Sequence, residues 1–292
     1  MDRPPLNVPE SATRASGNFG RLALALAALS LLSGAALVPF YDPAAPLPSL
    51  ERITGGLPWG AFLRSLHAWS SFLLLAATVV HAFEVVWKRT EAQLPPAVWW
   101  RSLLLLPLVV LALLGGFVLK GDAEAQAAAE VWRSVMASVP LVGRELATLF
   151  LGAQPASLGA VALHHAGTLS ILIVLFSLEH GKLLWPGARP ATLAALASTA
   201  AAGLVIPSLG PPPPGPSDHG PLLGPWALLG LQGLLVDLPA AAAWLLPLAG
   251  LLLVGTLRHA RGKSRTVLLV LLGGGVILYA AATVRALLPA RP

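Results

Sequence analysis

The sequence predicts an all-α membrane protein of about seven transmembrane helices, four forming a bundle and three forming a C-terminal part. Three observations carry that prediction. Hydrophobic residues make up 56% of the 292-residue chain and charged residues 11%, against about 25% charged in a soluble globular protein. The apolar residues gather in runs of about 20, the length that crosses a hydrocarbon core about 30 Å thick. Two of these runs each carry a pair of histidines at helical spacing.

Residues 1–20 form a polar N-terminus. The first span, Arg21–Phe40, follows Arg14 and Arg21 and is trailed by small residues, which is also how a secretory signal begins. Its apolar run exceeds the roughly 7–15 residues of a signal core, so it is read as a retained span. The second, third and fourth spans are Ala61–Trp87, Trp99–Leu119 and Leu158–Trp185. The fifth, Ala191–Ile206, is short and alanine-rich, and an interfacial or buried helix is the other reading. The sixth and seventh are Leu238–Leu257 and Thr266–Leu288. Residues 21–186 thus make a four-helix domain and residues 187–292 a three-helix one. Two connecting segments are long. Lys120–Ser157 contains Ala123–Met136, which reads as an amphipathic surface helix with Glu124, Glu130 and Arg133 on its polar side and Trp132 as an interfacial anchor. Ile206–Pro225 includes Pro211 to Pro214 and must be irregular, so it lies in water, at the interface or against protein.

Lys and Arg in short loops set orientation. With the N-terminus inside, Arg3, Arg14, Arg21, Lys88, Arg89, Arg101, Lys182, Arg189, Arg258, Arg261, Lys263 and Arg265 fall inside, while Arg52, Arg64, Lys120, Arg133, Arg144, Arg285 and Arg291 fall outside. Twelve against seven predicts a cytoplasmic N-terminus. The net charge of +6 therefore serves topology, and no nucleic-acid role is assigned.

His67 and His81 are 14 residues apart, and His165 and His180 are 15 apart. Either interval is close to four helical turns, which stacks two rings on one face about 21–22 Å apart. With the N-terminus inside, His67 and His165 share the outer depth and His81 and His180 the inner one. A neutral imidazole in lipid needs partners for both nitrogens, and iron coordination plus an acceptor beyond it supplies them. Two such helices clamp two haems, one near each side of the membrane. His164 adjoins His165 and points about 100° away, and spacing alone does not choose between them. With no cysteine in the chain, any haem is non-covalent, and no disulfide or cysteine-held iron–sulfur cluster belongs to it.

The residues around the histidines resemble cytochrome b of bc-type quinol:cytochrome c oxidoreductases, in particular the chloroplast-type form joined to its small companion subunit. The likeness runs from about Asn18 to Leu288. Its strongest part is Trp59-Gly-Ala-Phe-Leu-Arg64-Ser-Leu-His67-Ala, similar to the family segment that begins the second span. The resemblance implies that Arg64 pairs with an outer haem propionate. The longer 15-residue interval of the chloroplast-type form selects His165 with His180. Gly20 and Gly34, 14 apart, are similar to family glycines where a helix backbone passes close to each haem. Gly116 resembles one of a second pair, whose other member is here Ser102. The Val139-Pro140-Leu-Val-Gly143 run is similar to the family's outer loop after the third span.

The departures are specific. The family's outer quinol-oxidation motif Pro-Glu-Trp-Tyr here reads Gly224-Pro225-Trp226-Ala227, and its glutamate is missing. The family segment Pro-Trp-Asp-Gln reads Lys120-Gly121-Asp122-Ala123. Asp122, Glu124 or Asp218 is a substitute proton acceptor, against the plainer reading of each as a solvated loop charge. The family arginine three residues beyond the inner ligand is Glu84, which leaves the inner propionates to Lys88 or Arg89. The resemblance implies a dihaem b-type cytochrome carrying electrons between quinone and a partner redox protein, as the membrane subunit of a quinol-dependent oxidoreductase. It also implies a Rieske iron–sulfur partner, a c-type cytochrome acceptor and a homodimer, set among lipid in a bacterial cytoplasmic membrane. Catalytic residues are not identified by the sequence. Two other readings stand beside this one: a haem-bearing anchor of another respiratory oxidoreductase with a single inner quinone site, and a haem-free transporter or assembly subunit.

Overall fold

The computed structural model describes residues 18–153, 156–181, 187–210, 212 and 222–288, with the backbone alone at 18, 180 and 181. The remainder of the N-terminal tail, Lys182, Trp185, Pro211, Pro213, Pro214 and Asp218 lie outside the described residues. The chain is helical, with no strand among the described residues. The principal elements in order are α1 (Asn18–Leu37), α2 (Pro46–Glu51), α3 (Gly60–Lys88), α4 (Pro96–Leu103), α5 (Leu105–Val118), α6 (Ala123–Ala137), α7 (Gly143–Leu151), α8 (Leu158–Ala162), α9 (Ser170–Gly181), α10 (Ala188–Leu204), α11 (Leu229–Leu235), α12 (Ala242–Thr256) and α13 (Gly262–Leu287). A π-helical segment, Leu163–Leu169, joins α8 to α9.

Six of the described helical stretches are long and apolar enough to cross a membrane: Phe19–Phe40, Gly60–Lys88, Pro96–Val118, Leu158–Glu179, Ala242–His259 and Gly262–Leu287. These match the first four, sixth and seventh runs read from the sequence. The fifth run forms α10, a 17-residue helix packed on α1 and α3. Its buried residues are Ala194, Ser198 and Ala202, four apart, a stripe of small side chains that lets its backbone approach both neighbours. The third span is interrupted at Leu104, and Pro107 is the cause. A proline cannot donate to the carbonyl four residues back, here Leu103, which is where α4 ends.

Helices α1, α3, α4–α5 and α8–α9 form a bundle, and its core has a definite height. Ala27, Leu74, Val109 and Ile173 are buried together, one from each helical path. Leu74 is seven residues from both His67 and His81, and Ala27 is seven from both Gly20 and Gly34. The apolar layer therefore lies midway between the two histidine levels, about 10 Å from each.

The surface helix α6 differs from its reading as an interfacial element. Trp132 is a core residue, 5% exposed, packed with Val118, Leu151 and Val161, and Arg133 is 8% exposed. The guanidinium of Arg133 donates to the carbonyls of Gly152 and Ala153 at 3.0 and 3.2 Å, just past α7. Helix ends leave such carbonyls without partners, and no local pattern signals that α7 presents them to α6. Asp122 is likewise fully buried and not a solvated loop charge. It caps α6 by accepting from Ala125 N at 2.8 Å, accepts from Gly210 N at 2.8 Å and pairs with Lys120 at 2.8 Å, tying the long outer loop to the bundle.

The C-terminal helices dock through buried polar contacts at the predicted inner end. Arg265 donates to Glu91 Oε1 at 2.6 Å and to the carbonyl of Val86 at 2.6 Å, and Glu91 is fully buried. Trp99 Nε1 donates to the carbonyl of Gly255 at 3.0 Å, and a Cβ at position 255 would stand 2.0 Å from the Trp100 ring. Removing one partner of a buried ion pair strands the other charge. Arg265→Met is therefore expected to cost about 3–5 kcal/mol, read as a fall in the thermal midpoint of the detergent-solubilised protein. The double variant Glu91→Gln, Arg265→Met should regain part of that loss; no recovery would rule out the buried carboxylate as the cause.

Candidate haem-binding site

The outer histidines meet across the bundle. The rings of His67 on α3 and His165 in the π segment have centroids 6.1 Å apart and planes at 90°. A metal bound by two imidazoles sits about 2 Å from each coordinating nitrogen, which puts the two centroids roughly 6 Å apart. The hydrogen bonds fix which nitrogen is available. His67 Nδ1 lies 3.0 Å from the carbonyl of Ser30, and His165 Nδ1 lies 2.9 Å from the carbonyl of Ala112. A carbonyl only accepts, so each Nδ1 carries the proton and each Nε2 keeps its lone pair for a metal. Ser71 and Ser70 both donate to the His67 carbonyl, at 2.7 and 3.1 Å, and Ser71 Oγ meets Ser30 Oγ at 2.6 Å. This chain of small polar residues holds α1 against α3 at the ring's height.

Glycines make the seats. A Cβ at Gly34 would stand 2.8 Å from Cε1 of His67, at Gly116 3.1 Å from Cε1 of His165, and at Gly20 2.7 Å from Cε1 of His81. Each glycine named in the sequence thus faces one of the named histidines; the contacts at Gly20 and Gly34 are closer than a real side chain tolerates, and the one at Gly116 is tight. Gly115, which the sequence reading did not single out, also borders His165, with a Cβ 3.4 Å from its own. Its signal is its place as the first member of the Gly115-Gly116 pair. Ser102 is half-buried and bonds back to the carbonyl of Val98 at 2.7 Å.

His164 is turned to a different task. Its Nε2 donates to the carbonyl of Leu149 at 2.9 Å, its Nδ1 meets Thr168 Oγ1 at 3.2 Å, and its ring packs on Phe150 with centroids 4.6 Å apart. Both nitrogens are committed to protein, so His164 fastens α7 to the fourth span. The π segment also accounts for the longer interval. In an unbroken α-helix fifteen residues overshoot four turns by about 60°, and a π turn takes up one residue more than an α turn. Position 180 then stands to 165 as 81 stands to 67. Ser170 Oγ donates to the His165 carbonyl at 2.9 Å across that widened turn.

At the inner end His81 Nδ1 lies 3.7 Å from Glu84 Oε2, and the carboxylate of Glu84 also pairs with Lys88. Lys88 is therefore engaged at this level, and Arg89 is exposed at the end of α3. Arg101 pairs with Glu179. The side chain of His180 lies outside the described residues. Arg64, one turn before His67, donates to the carbonyl of Pro207, while its Nε is buried with no hydrogen-bond partner. A buried guanidinium nitrogen without an acceptor fits an anionic group at this edge, and the glycine seats with two Nε2 atoms that keep their lone pairs fit a planar cofactor held by two imidazoles.

A cavity of about 130 Å³ opens between Leu114 of α5, α6 and the segment from Leu222 to Leu235. Its wall includes Leu114, Glu124, Ala128, Trp132, Pro225 and Gln232. Leu114 precedes Gly115, so one step along α5 leads from the cavity to His165. The Gly224-Pro225-Trp226-Ala227 segment is firmly seated: Gln232 accepts from Gly224 N and donates to the Leu222 carbonyl, each at 2.9 Å, Trp226 meets Phe72 edge-on at 6.0 Å, and Tyr279 donates to the Ala227 carbonyl.

Residues 6–184 match the family model described as cytochrome b/b6/petB. Among curated proteins, cytochrome b6 of Picosynechococcus sp. (strain ATCC 27264 / PCC 7002 / PR-6) is 25% identical over 169 residues, which cover 56% of this chain and 75% of that protein. Cytochrome b6 of Cyanidium caldarium is 25% identical over 167 residues, 56% of this chain and 78% of that one. Among solved structures, a chain of a hyperthermophilic respiratory Complex III superposes with a TM-score of 0.69 at 19% identity, covering 94% of this chain and 84% of its own, so the shared fold extends through the C-terminal helices. On the family model, which spans well over half of its length, this chain belongs to the cytochrome b/b6 family.

Proposed function

We propose that this membrane cytochrome b holds two b-type haems, an outer one between His67 and His165 and an inner one between His81 and His180. It carries electrons between quinol oxidised at the outer cavity and the inner side of the membrane. The observation that carries the reading is the outer pair: two facing imidazoles, each with its Nδ1 proton donated to a backbone carbonyl and each seated on a glycine. Haem, when bound, supplies the one-electron iron couple. The chain's own residues do the rest. Ser30 and Ala112 orient the ligands, Gly34 and Gly116 admit the macrocycle, Arg64 offers its free Nε to a propionate, and the Ala27, Leu74, Val109 and Ile173 layer keeps water from between the two levels. On this reading the assembly is of bc type, with a Rieske iron–sulfur protein, a c-type cytochrome and a second copy of the chain, in a bacterial cytoplasmic membrane with its N-terminus inside. The structural likeness to a chain of a respiratory Complex III supports it. The missing motif glutamate favours instead an anchor with one inner quinone site, and quinol reduction of the haems through the outer cavity separates the two.

A pyridine haemochrome assay on purified protein is expected to give two b haems per chain. His67→Ala should reduce that to about one and His164→Ala should leave it at two, while weakening the fold by about 1 kcal/mol through its lost hydrogen bonds. Wild-type protein without a Soret band would end the haem reading and favour a transporter or assembly role.

Gly34→Val tests the seat itself. Its new side chain meets a ring that cannot retreat without breaking the bond to Ser30, so the outer haem alone should be lost, seen as half the haem content with one remaining potential in a redox titration. Full retention of both haems in this variant would show that the glycine contact is incidental.

A further inference from the structure

We propose that Glu124 is the proton acceptor for quinol in the outer cavity, replacing a glutamate that the Gly224-Pro225-Trp226-Ala227 segment does not supply. The inference rests on the reading of the protein as a quinol-oxidising cytochrome b, and it names a residue that reading leaves open. Of the three carboxylates that the sequence offers as substitute acceptors, Asp122 is consumed: its oxygens cap α6, hold Gly210 N and pair with Lys120. Asp218 lies outside the described residues. Among the described residues, Glu124 is the one acidic side chain that lines the cavity. The other polar side chain in its wall, Gln232, has its carboxamide engaged on both sides by Gly224 and Leu222, and Pro225, in the place of the motif's glutamate, has no group that takes a proton.

Glu124 is also held in place. Its Oε2 meets Lys120 Nζ at 3.1 Å, and Lys120 is fixed in turn by buried Asp122 and by the Phe117 ring, 4.3 Å from the ammonium to the ring centre. The carboxylate is 30% exposed, so it faces the cavity without being closed off from a proton exit. The cavity, at about 130 Å³, is smaller than the roughly 300–1,000 Å³ of sites that enclose a whole drug-sized ligand. It suits a quinol ring whose tail stays in lipid.

The step balances as follows in atoms and electrons. One quinol O–H bond breaks and the proton forms the O–H of the Glu124 carboxylic acid. The other O–H proton would leave with the electron taken by an extrinsic iron–sulfur protein, and a haem held by His67 and His165 would accept the second electron. The quinol becomes quinone, and Glu124 later releases its proton to the outer aqueous side.

The test is oxidation of duroquinol, a tail-less quinol, by membranes carrying the complete assembly, with haem content checked by difference spectrum. Glu124→Gln keeps an acceptor for Lys120 and is expected to lower kcat by on the order of a hundred-fold, with KM nearly unchanged and two haems retained. Glu124→Asp should fall between Gln and wild type, and Glu130→Gln, an exposed glutamate on the same helix, should match wild type. If glutamine at 124 prevents haem loading, Glu124→Ala provides a second removal of the carboxylate. Wild-type turnover in a haem-loaded Gln or Ala variant, or an Asp variant slower than the Gln one, overturns the assignment of Glu124 and leaves the quinol reading standing. Failure of duroquinol to reduce the haems of the wild-type assembly overturns the quinol reading and this inference with it.

Discussion

The seat of an imidazole ring on a helix backbone is the constraint on which the bundle depends. A ring donating its Nδ1 proton to a carbonyl of the next helix is locked in tautomer and direction, and it lies so close to the facing residue that a Cβ there would crowd it. His67 satisfies both demands on α1, with Ser30 and Gly34, and His165 satisfies both on α5, with Ala112 and Gly116. Each donor, acceptor and glycine must share one height, so the relative sliding of four helices is fixed by a few polar atoms. Apolar packing alone would not fix it, because the interior layer of Ala, Leu, Val and Ile is non-directional.

The same requirement explains why the fourth span is not a regular helix. In the proposed reading position 180 opposes the His81 ring; a 15-residue interval in an unbroken α-helix would swing it away, and the π segment at Leu163–Leu169 restores the phase. The widened turn leaves His164 pointing to α7, where Leu149 and Phe150 take it up. One local irregularity thus sets the direction of His165 and also anchors α7, which packs on the cavity-lining α6. The C-terminal helices attach to this frame from the other end, through Arg265, Glu91 and Trp99, and bring α11 and its Gln232 to the outer side.

Much of this was legible in the sequence, because the spacing of residues in a helix translates directly into height. The histidine pairs, Gly20, Gly34 and Gly116 could be named from intervals and resemblance, and the described histidines each meet one of those glycines. The contribution of tertiary contacts could not be read. Nothing local in Trp132 or Arg133 says that α7 and the carbonyls of Gly152 and Ala153 will cover them. Asp122 looks like any acidic loop residue until Gly210, 88 positions away, donates to it. Arg258 and Arg265 read as loop charges setting orientation, and the structure puts them against the carbonyl of Leu94 and the carboxylate of Glu91. In each case the deciding partner is distant in sequence, and periodicity carries no information about it.

The apolar layer at mid-height bears on what such a bundle transports. Ala27, Leu74, Val109 and Ile173 are buried together, and none of them offers a donor or an acceptor. A proton moves between hydrogen-bonding groups, so this layer gives it no route, whereas an electron needs only two redox centres close enough to exchange it. In the proposed reading the two levels lie about 21 Å apart along the helices, with the layer halfway. An electron crossing from outer to inner level would leave its proton behind on the outer side. The movement then works against the membrane potential at about 2.3 kcal/mol per charge for each 100 mV, and separation of the two particles follows from the chemistry of four side chains.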